Sequence, residues 1–224
     1  MIVDLHSHTA YSSCGKDAPE DLVKTMIRNG VDELGITDHN YGIADRKHEY
    51  YDLLTSLKEK YQSEIKIIRG IELNTFPDNC LKPCEDISYF DYCLIEHLGL
   101  DGSILRDDIV SYAKNLGTRA GIAHTDLFAF TAKRGLDLKD YLVSLKNAGI
   151  FWEMNVSYDS IHGYHEHEYV KKFVENKSLR DVVKESRVEI SVGFDGHRMN
   201  EYRADRVKQM CDFLTSNNFP LVVF

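Results

Sequence analysis

Nowhere in its 224 residues does the chain carry an apolar stretch long enough to span a bilayer, and the run from Met1 to Leu5 is far too short for a signal peptide. A cytoplasmic protein with no membrane partner is the expectation. Basic residues are in deficit, 27 Lys and Arg against 36 Asp and Glu, for a formal charge of −9. That argues against broad binding to duplex nucleic acid, which draws on many cationic contacts to phosphate. Carboxylates that hold divalent cations are neutralised by them, so anionic substrates remain open despite the negative count. Cysteine is scarce and odd in number: Cys14, Cys80, Cys84, Cys93 and Cys211 form no paired framework, which fits free thiols in a reducing compartment. No second Cys/His pair completes a tetrahedral metal set around Cys80 and Cys84. Internal repeats, low-complexity tracts and linkers are missing as well.

What is present is an ordinary globular composition, 43% hydrophobic and 28% charged, in a chain long enough for one large core. A single domain over residues 1–224 is expected. Apolar runs and turn residues alternate as strand, helix and loop, the pattern of parallel β/α units. Strands are predicted at 1–6, 33–38, 65–73, 91–97, 120–124, 150–155 and 189–194. Helices are predicted near 19–29, 45–61, 106–116, 138–147, 166–175, 178–186 and 201–216. Pro19, Glu20 and Asp21 open the first helix, and Gly30 and Gly117 lie just past helices.

The histidines are the most informative residues. His6, His8, His39, His97, His124 and His197 fall at or just after predicted strand ends, with Asp38, Glu72 and Asp195 in the same kind of position. Side chains two apart on a strand share a face, so His6 with His8, and Asp195 with His197, each present two ligand atoms in one direction. Strand ends from so many parts of the chain can meet at one mouth in a barrel, whereas an open sheet spreads its outer strands too far apart. A closed or nearly closed barrel of seven β/α units, with a metal site at the C-terminal ends of its strands, follows.

The stretches Asp4-Leu5-His6-Ser7-His8-Thr9, Gly35-Ile36-Thr37-Asp38-His39, Arg69-Gly70-Ile71-Glu72, Glu96-His97, Ala123-His124 and Gly193-Phe194-Asp195-Gly196-His197 span nearly the whole chain in order. In these the chain resembles the PHP (polymerase and histidinol phosphatase) phosphoesterases. The resemblance implies a distorted TIM-like (β/α)7 barrel of the α/β class, with a metal cluster at the C-terminal ends of the strands that holds two or three divalent metal ions, zinc, iron or manganese. By it, His6, His8, Glu72 and Asp195 hold one ion, and Glu72 bridges to a second held by His97 and His124. His39 and His197 hold a third, completed by a residue in the loop after His8. Many members carry Asp or His there; here it is Cys14, with Asp17 as the alternative.

The chemistry is coherent without the resemblance. Imidazoles suit zinc, iron and manganese, and a bridging carboxylate brings two cations close enough to act on one water. With the resemblance added, hydrolysis of a small phosphate monoester is expected, with Glu72, Asp195 and His197 in the catalytic set and hydroxide generated at the metals attacking phosphorus in line. Among PHP relatives the chain looks most like the stand-alone histidinol-phosphatase type, including Glu153-Met154-Asn155, but lacks the arginine that often follows this Asn. Arg198, His162, and Lys133 and Arg134 in the loop after the fifth strand are the candidate substrate contacts. A phosphodiesterase or exonuclease on short nucleotides and a metal-dependent amidohydrolase are the rival readings. His48 is expected at the surface, and Tyr41, Tyr50, Tyr51, Phe128 and Phe130 as barrel packing and loop cover.

Overall fold

In the computed structural model of the protein, residues 1–105 and 108–224 are described. Parallel strands β1 (Val3–Asp4), β2 (Glu33–Ile36), β3 (Lys66–Leu73), β4 (Tyr92–Ile95), β5 (Arg119–Ile122), β6 (Phe151–Asn155) and β7 (Ile190–Gly193) pair in sequence order in one seven-stranded sheet. The sheet curls until its edges meet. Leu5 N–H donates to Val192 O at 2.9 Å, Asp195 N–H to His6 O at 2.8 Å and His8 N–H to Gly196 O at 2.9 Å. The buried Asp4 carboxylate strengthens this seam by accepting from the Phe194 N–H at 3.0 Å. The nearly closed, TIM-like α/β barrel is the architecture expected from the strand-end residues, and these links between the β1 and β7 edges set His6 and His8 beside Asp195.

The barrel interior is filled by Leu5, Ile68, Tyr92, Leu94, Ala123 and Phe151, with Val222 from the final segment. Tyr92 crosses it to donate to Leu5 O at 2.6 Å. Gly35 makes room for that ring: a Cβ there would stand 1.9 Å from the Tyr92 hydroxyl. Around the outside, α1 (Pro19–Arg28), α3 (Lys47–Lys60), α4 (Ile109–Asn115), α6 (Leu138–Asn147), α7 (Glu168–Glu175), α8 (Lys177–Ser186) and α9 (Ala204–Ser216) cover the sheet. Each turns one apolar stripe inward. In α3 that stripe is Tyr50, Leu54 and Leu57, buried at a spacing of one helical turn. His48, on the opposite side of this helix, is exposed.

Several boundaries differ from the sequence reading. The predicted 45–61 helix is a 3-10 turn at Ala44–Arg46 followed by α3, and the segments predicted from 166 and 201 become helical at Glu168 and Ala204. Of the predicted 106–116 helix, α4 is seen, while Arg106 and Asp107 lie outside the described residues. Two short helices were not expected, α2 (Asn40–Ile43) and α5 (Leu127–Arg134). The second matters because Lys133 and Arg134 sit in its last turn, not in a loop. Its ends carry sequence marks: Asp126 accepts from the Ala129 N–H at 2.8 Å as N-cap, and Gly135 terminates it in the left-handed conformation. No helix among the described residues is long and apolar enough to cross a membrane.

Candidate metal centre

The strands end in backbone that few residues adopt willingly. His97, His124 and Asp195 have positive φ angles of 63°, 25° and 58°. Side chains with a Cβ pay for the left-handed region, so such outliers persist where the surroundings hold them, commonly at functional sites. Here the three turns aim three candidate ligands back over the barrel mouth.

Glu72, at the end of β3, is the hub. Its Oε1 lies 3.1 Å from His124 Nε2 and 3.3 Å from His6 Nε2; its Oε2 lies 2.9 Å from His39 Nδ1 and 3.4 Å from His8 Nε2. Asp195 Oδ1 is 3.1 Å from His8 Nε2 and 3.3 Å from His6 Nε2. Burial opposes ionisation of both carboxyls, but the imidazoles around them, His6 foremost, outweigh it and hold each well below the usual carboxylate range.

Hydrogen bonds alone do not satisfy this cluster. Glu72 Oε2, His39 Nδ1 and His197 Nδ1 are buried without a hydrogen-bond partner, and the short His39–Glu72 contact lacks hydrogen-bond geometry. His6 Nε2 and His8 Nε2 face one another at 3.1 Å. Unpaired lone pairs in a buried place are costly. Converging nitrogen and carboxylate donors of this kind fit divalent cations. Among the described residues, sets whose donor atoms lie within 4.8 Å of one another include His6–His8–Asp195, His8–Cys14–His39–His197 and His39–Glu72–Glu96.

The structure therefore places Cys14, not Asp17, beside His39 and His197. Asp17 is committed elsewhere, its Oδ2 accepting from the Met199 N–H at 2.8 Å. Burial pushes the Cys14 thiol up, but the neighbouring His197 and His39 rings reverse this and bring it down to about 6. Asp38, although at a strand end, is no part of these sets. It accepts from the Thr9 N–H at 2.7 Å, the Ser12 N–H at 3.0 Å and both hydroxyls at 2.6 Å, pinning the loop that carries Cys14. If Cys14 holds a cation with His39 and His197, Cys14→Ala is expected to lower metal content by about one equivalent while sparing ions held through Glu72, and Cys14→Asp to restore it with a shift from zinc toward manganese, a carboxylate being the harder ligand. Metal analysis of the purified variants checks this.

Glu153, noted in the sequence without a role, supports the cluster from below. Its Oε1 is 2.7 Å from His6 Nδ1, and its Oε2 accepts from the His124 N–H at 2.8 Å and Asn155 Nδ2 at 3.2 Å. One carboxylate thus orients two strand ends, the kind of outer contact that fixes a metal-binding histidine. Gly193 lets it do so, since a Cβ there would lie 2.0 Å from Glu153 Oε1 and 2.6 Å from His6 Cβ. Gly193→Ala should cost roughly 1–3 kcal/mol of stability from overpacking and weaken metal binding, measured by urea unfolding and metal titration.

The remaining candidates are less central. His97 stands one step from Glu72, its Nε2 3.2 Å from Glu96 Oε2, with its ring centroid 5.9 Å from that of His124. His162 is clamped between two carboxylates, Nδ1 at 2.7 Å from Asp159 and Nε2 at 3.0 Å from Asp195. Arg198 reaches toward Glu201 at 4.0 Å. Lys133 pairs with Asp101 at 3.3 Å, and Arg134 lies over the Phe130 ring at 3.8 Å. Both basic residues line a cavity of about 290 Å³ that also touches His97, His124 and Leu100. Tyr41 stacks on His39 with centroids 4.8 Å apart and covers one side of the mouth. Glu96, Asp159 and Asn155 carried no assigned role in the sequence reading, although Glu96 directly precedes His97.

Known proteins give the cluster a context. A "Probable phosphatase" of Acetivibrio thermocellus is 24% identical over 226 residues, covering 95% of this chain and 86% of the relative. One of Citrobacter koseri is 32% identical over 72 residues, 32% of this chain and 29% of the relative. Among solved structures, histidinol phosphate phosphatase from Lactococcus lactis, complexed with zinc, L-histidinol and phosphate, shares the fold with a TM-score of 0.68 at 17% identity, covering 99% of this chain and 95% of that one. The putative histidinol phosphatase from Listeria monocytogenes does so with a TM-score of 0.56 at 16% identity, over 88% and 96% of the two chains. The sequence model of the PHP domain matches residues 4–212, nearly the whole barrel with every strand-end histidine in it, and the chain belongs to the PHP domain family.

Proposed function

We propose that the protein is a metal-dependent phosphoesterase that hydrolyses a small phosphate monoester in the manner of a histidinol phosphatase. The observation that carries this reading is the convergence of His6, His8, His39, His124, Glu72 and Asp195 on one buried point with lone pairs left unpaired. In this reading His6, His8, Glu72 and Asp195 hold one cation, Glu72 with His97 and His124 a second, and Cys14, His39 and His197 a third. Zinc, iron and manganese all suit these donors. Such cations, when bound, supply Lewis acidity toward phosphoryl oxygens and lower the pKa of water.

The chain's own residues orient and enclose. Glu153 fixes the His6 ring and the His124 backbone, and Asp159 fixes the His162 ring with Nε2 toward Asp195. The cavity beside His97 and His124 offers Leu100 and Phe130 to an apolar part of a leaving group and Lys133 and Arg134 to an anionic one. L-Histidinol and phosphate in the Lactococcus lactis structure make histidinol phosphate the first substrate to try. A cytoplasmic role in histidine biosynthesis accompanies that choice.

The test is a phosphate-release screen on protein loaded with zinc, manganese or iron, using histidinol phosphate, 3′-phosphorylated nucleosides, cyclic nucleotides and short oligonucleotides. Release from monoesters, abolished by chelator and restored by metal, is expected. Cleavage of diesters alone would replace this reading with a phosphodiesterase. Hydrolysis of an amide or lactone without phosphate release would replace it with an amidohydrolase.

A further inference from the structure

We infer that Glu96 is itself a ligand of the metal centre, adding a third carboxylate to Glu72 and Asp195 and defining, with Glu72 and His39, a position suited to a hard cation. The inference rests on the metal-centre reading above. Glu96 continues the parallel pairing past the end of β4, its N–H donating to Leu73 O at 3.0 Å. This sends its side chain into the barrel mouth, where it is only 3% exposed. Oε1 lies 3.3 Å from His39 Nδ1, and Oε2 lies 3.2 Å from His97 Nε2. The donor atoms of His39, Glu72 and Glu96 all fall within 4.8 Å of one another.

An independent observation points at the same spot. Glu72, fully buried, leaves Oε2 without a hydrogen-bond partner, and His39 Nδ1 beside it is likewise unpaired. Two buried carboxylates this close repel one another unless positive charge lies between them. A cation coordinated by Glu72 Oε2, Glu96 Oε1 and His39 Nδ1 would answer both the repulsion and the unpaired atoms.

Glu96 is also held as an oriented ligand would be. Asn74 donates to Oε1 at 2.7 Å through Nδ2, its own N–H donates to Asn40 Oδ1 at 2.9 Å, and its Oδ1 accepts from the Phe76 N–H at 2.8 Å. Such outer contacts fix a carboxylate against a metal. Two carboxylates with one imidazole favour manganese or iron(II) over the softer zinc that a Cys14-containing set prefers. A neutral His39 ring has one lone pair to give, so in this arrangement it serves the hard position, and Cys14 and His197, with His8 beside them, form the soft one in place of the Cys14–His39–His197 set.

The experiment is a manganese titration of wild type, Glu96→Gln and Glu96→Asp, with free Mn²⁺ followed by electron paramagnetic resonance and bound metal by elemental analysis. Gln keeps the size of the side chain and its acceptor for Asn74, so a purely structural role would survive it. A ligand role predicts that Glu96→Gln loses one manganese equivalent, or binds it about 100-fold more weakly, with its zinc content at the Cys14 set intact; Glu96→Asp should weaken the same equivalent about tenfold. Wild-type manganese stoichiometry and affinity in Glu96→Gln would overturn the inference. Should that variant fail to fold, unchanged affinity in Glu96→Asp overturns it equally. A wild-type protein that binds no cation at all would overturn the metal-centre reading itself.

Discussion

Replacing Glu72 by Gln is expected to lower turnover by about 10³-fold or more, equal to about 4 kcal/mol of transition-state stabilisation, without unfolding the protein. The reason is geometric before it is electrostatic. Both oxygens of Glu72 face imidazoles, Oε1 toward His6 and His124 and Oε2 toward His8 and His39, so this carboxylate spans the cluster from side to side. An amide of the same shape has one oxygen and one NH₂ group, which donates where a cation needs an acceptor. Gln also removes the negative charge that four imidazoles now surround. Phosphate release under saturating metal, with circular dichroism for the fold, measures the effect, and near wild-type turnover at full metal occupancy would rule out a bridging role for Glu72.

The second large effect is non-additivity between His6 and Asp195. They come from the two strands that close the barrel, and His6 Nε2 lies 3.3 Å from Asp195 Oδ1, with His8 Nε2 3.1 Å from the same oxygen. If both hold one ion, His6→Ala or Asp195→Ala alone discards it, and the double variant has little left to lose. Each single change should cost roughly 10³-fold in metal affinity and turnover, and the pair much less than the product, as for groups that act as a unit. Isothermal titration of zinc into the two single variants and the double variant gives the coupling directly. Independent losses that multiply would place the two side chains at separate sites.

Much of this was legible from residue order. Hydrophobic periodicity placed all seven strands because buried parallel strands are short, apolar and punctuated, and tertiary packing shifted their ends by only a few residues. The histidines stood out because each follows such a run. The missed elements have physical explanations. Helix α5 buries Leu127, Phe128, Phe130 and Thr131 on one face, but its exposed side carries Ala129 and Ala132 beside Lys133, so over eight residues the contrast between faces is weak in the sequence. Only its Asp126 cap and Gly135 terminator could have. Placing Lys133 and Arg134 on a helix instead of a loop gives them a rigid mount at the cavity wall.

By itself, the sequence determined the β/α order and the donor types, imidazole and carboxylate at strand ends, because these depend on local alternation and on side-chain chemistry. Which donors face which was decided only when the barrel closed. Hydrogen bonds between β1 and β7 bring His8 and Asp195 together across 187 positions of chain. Positive φ angles at His97, His124 and Asp195 aim those side chains, and no composition or spacing encodes a dihedral angle for residues with a Cβ. The same closure gave roles to Glu96, Glu153 and Asp159, ordinary acids in the sequence that become neighbours of the cluster through contacts with residues far along the chain. Asp17 lost its place to Cys14 for the same kind of reason, its carboxylate being drawn to the Met199 N–H by the path of one loop. Local pattern specifies what an element is; the distances that make a metal centre arise from how distant elements pack.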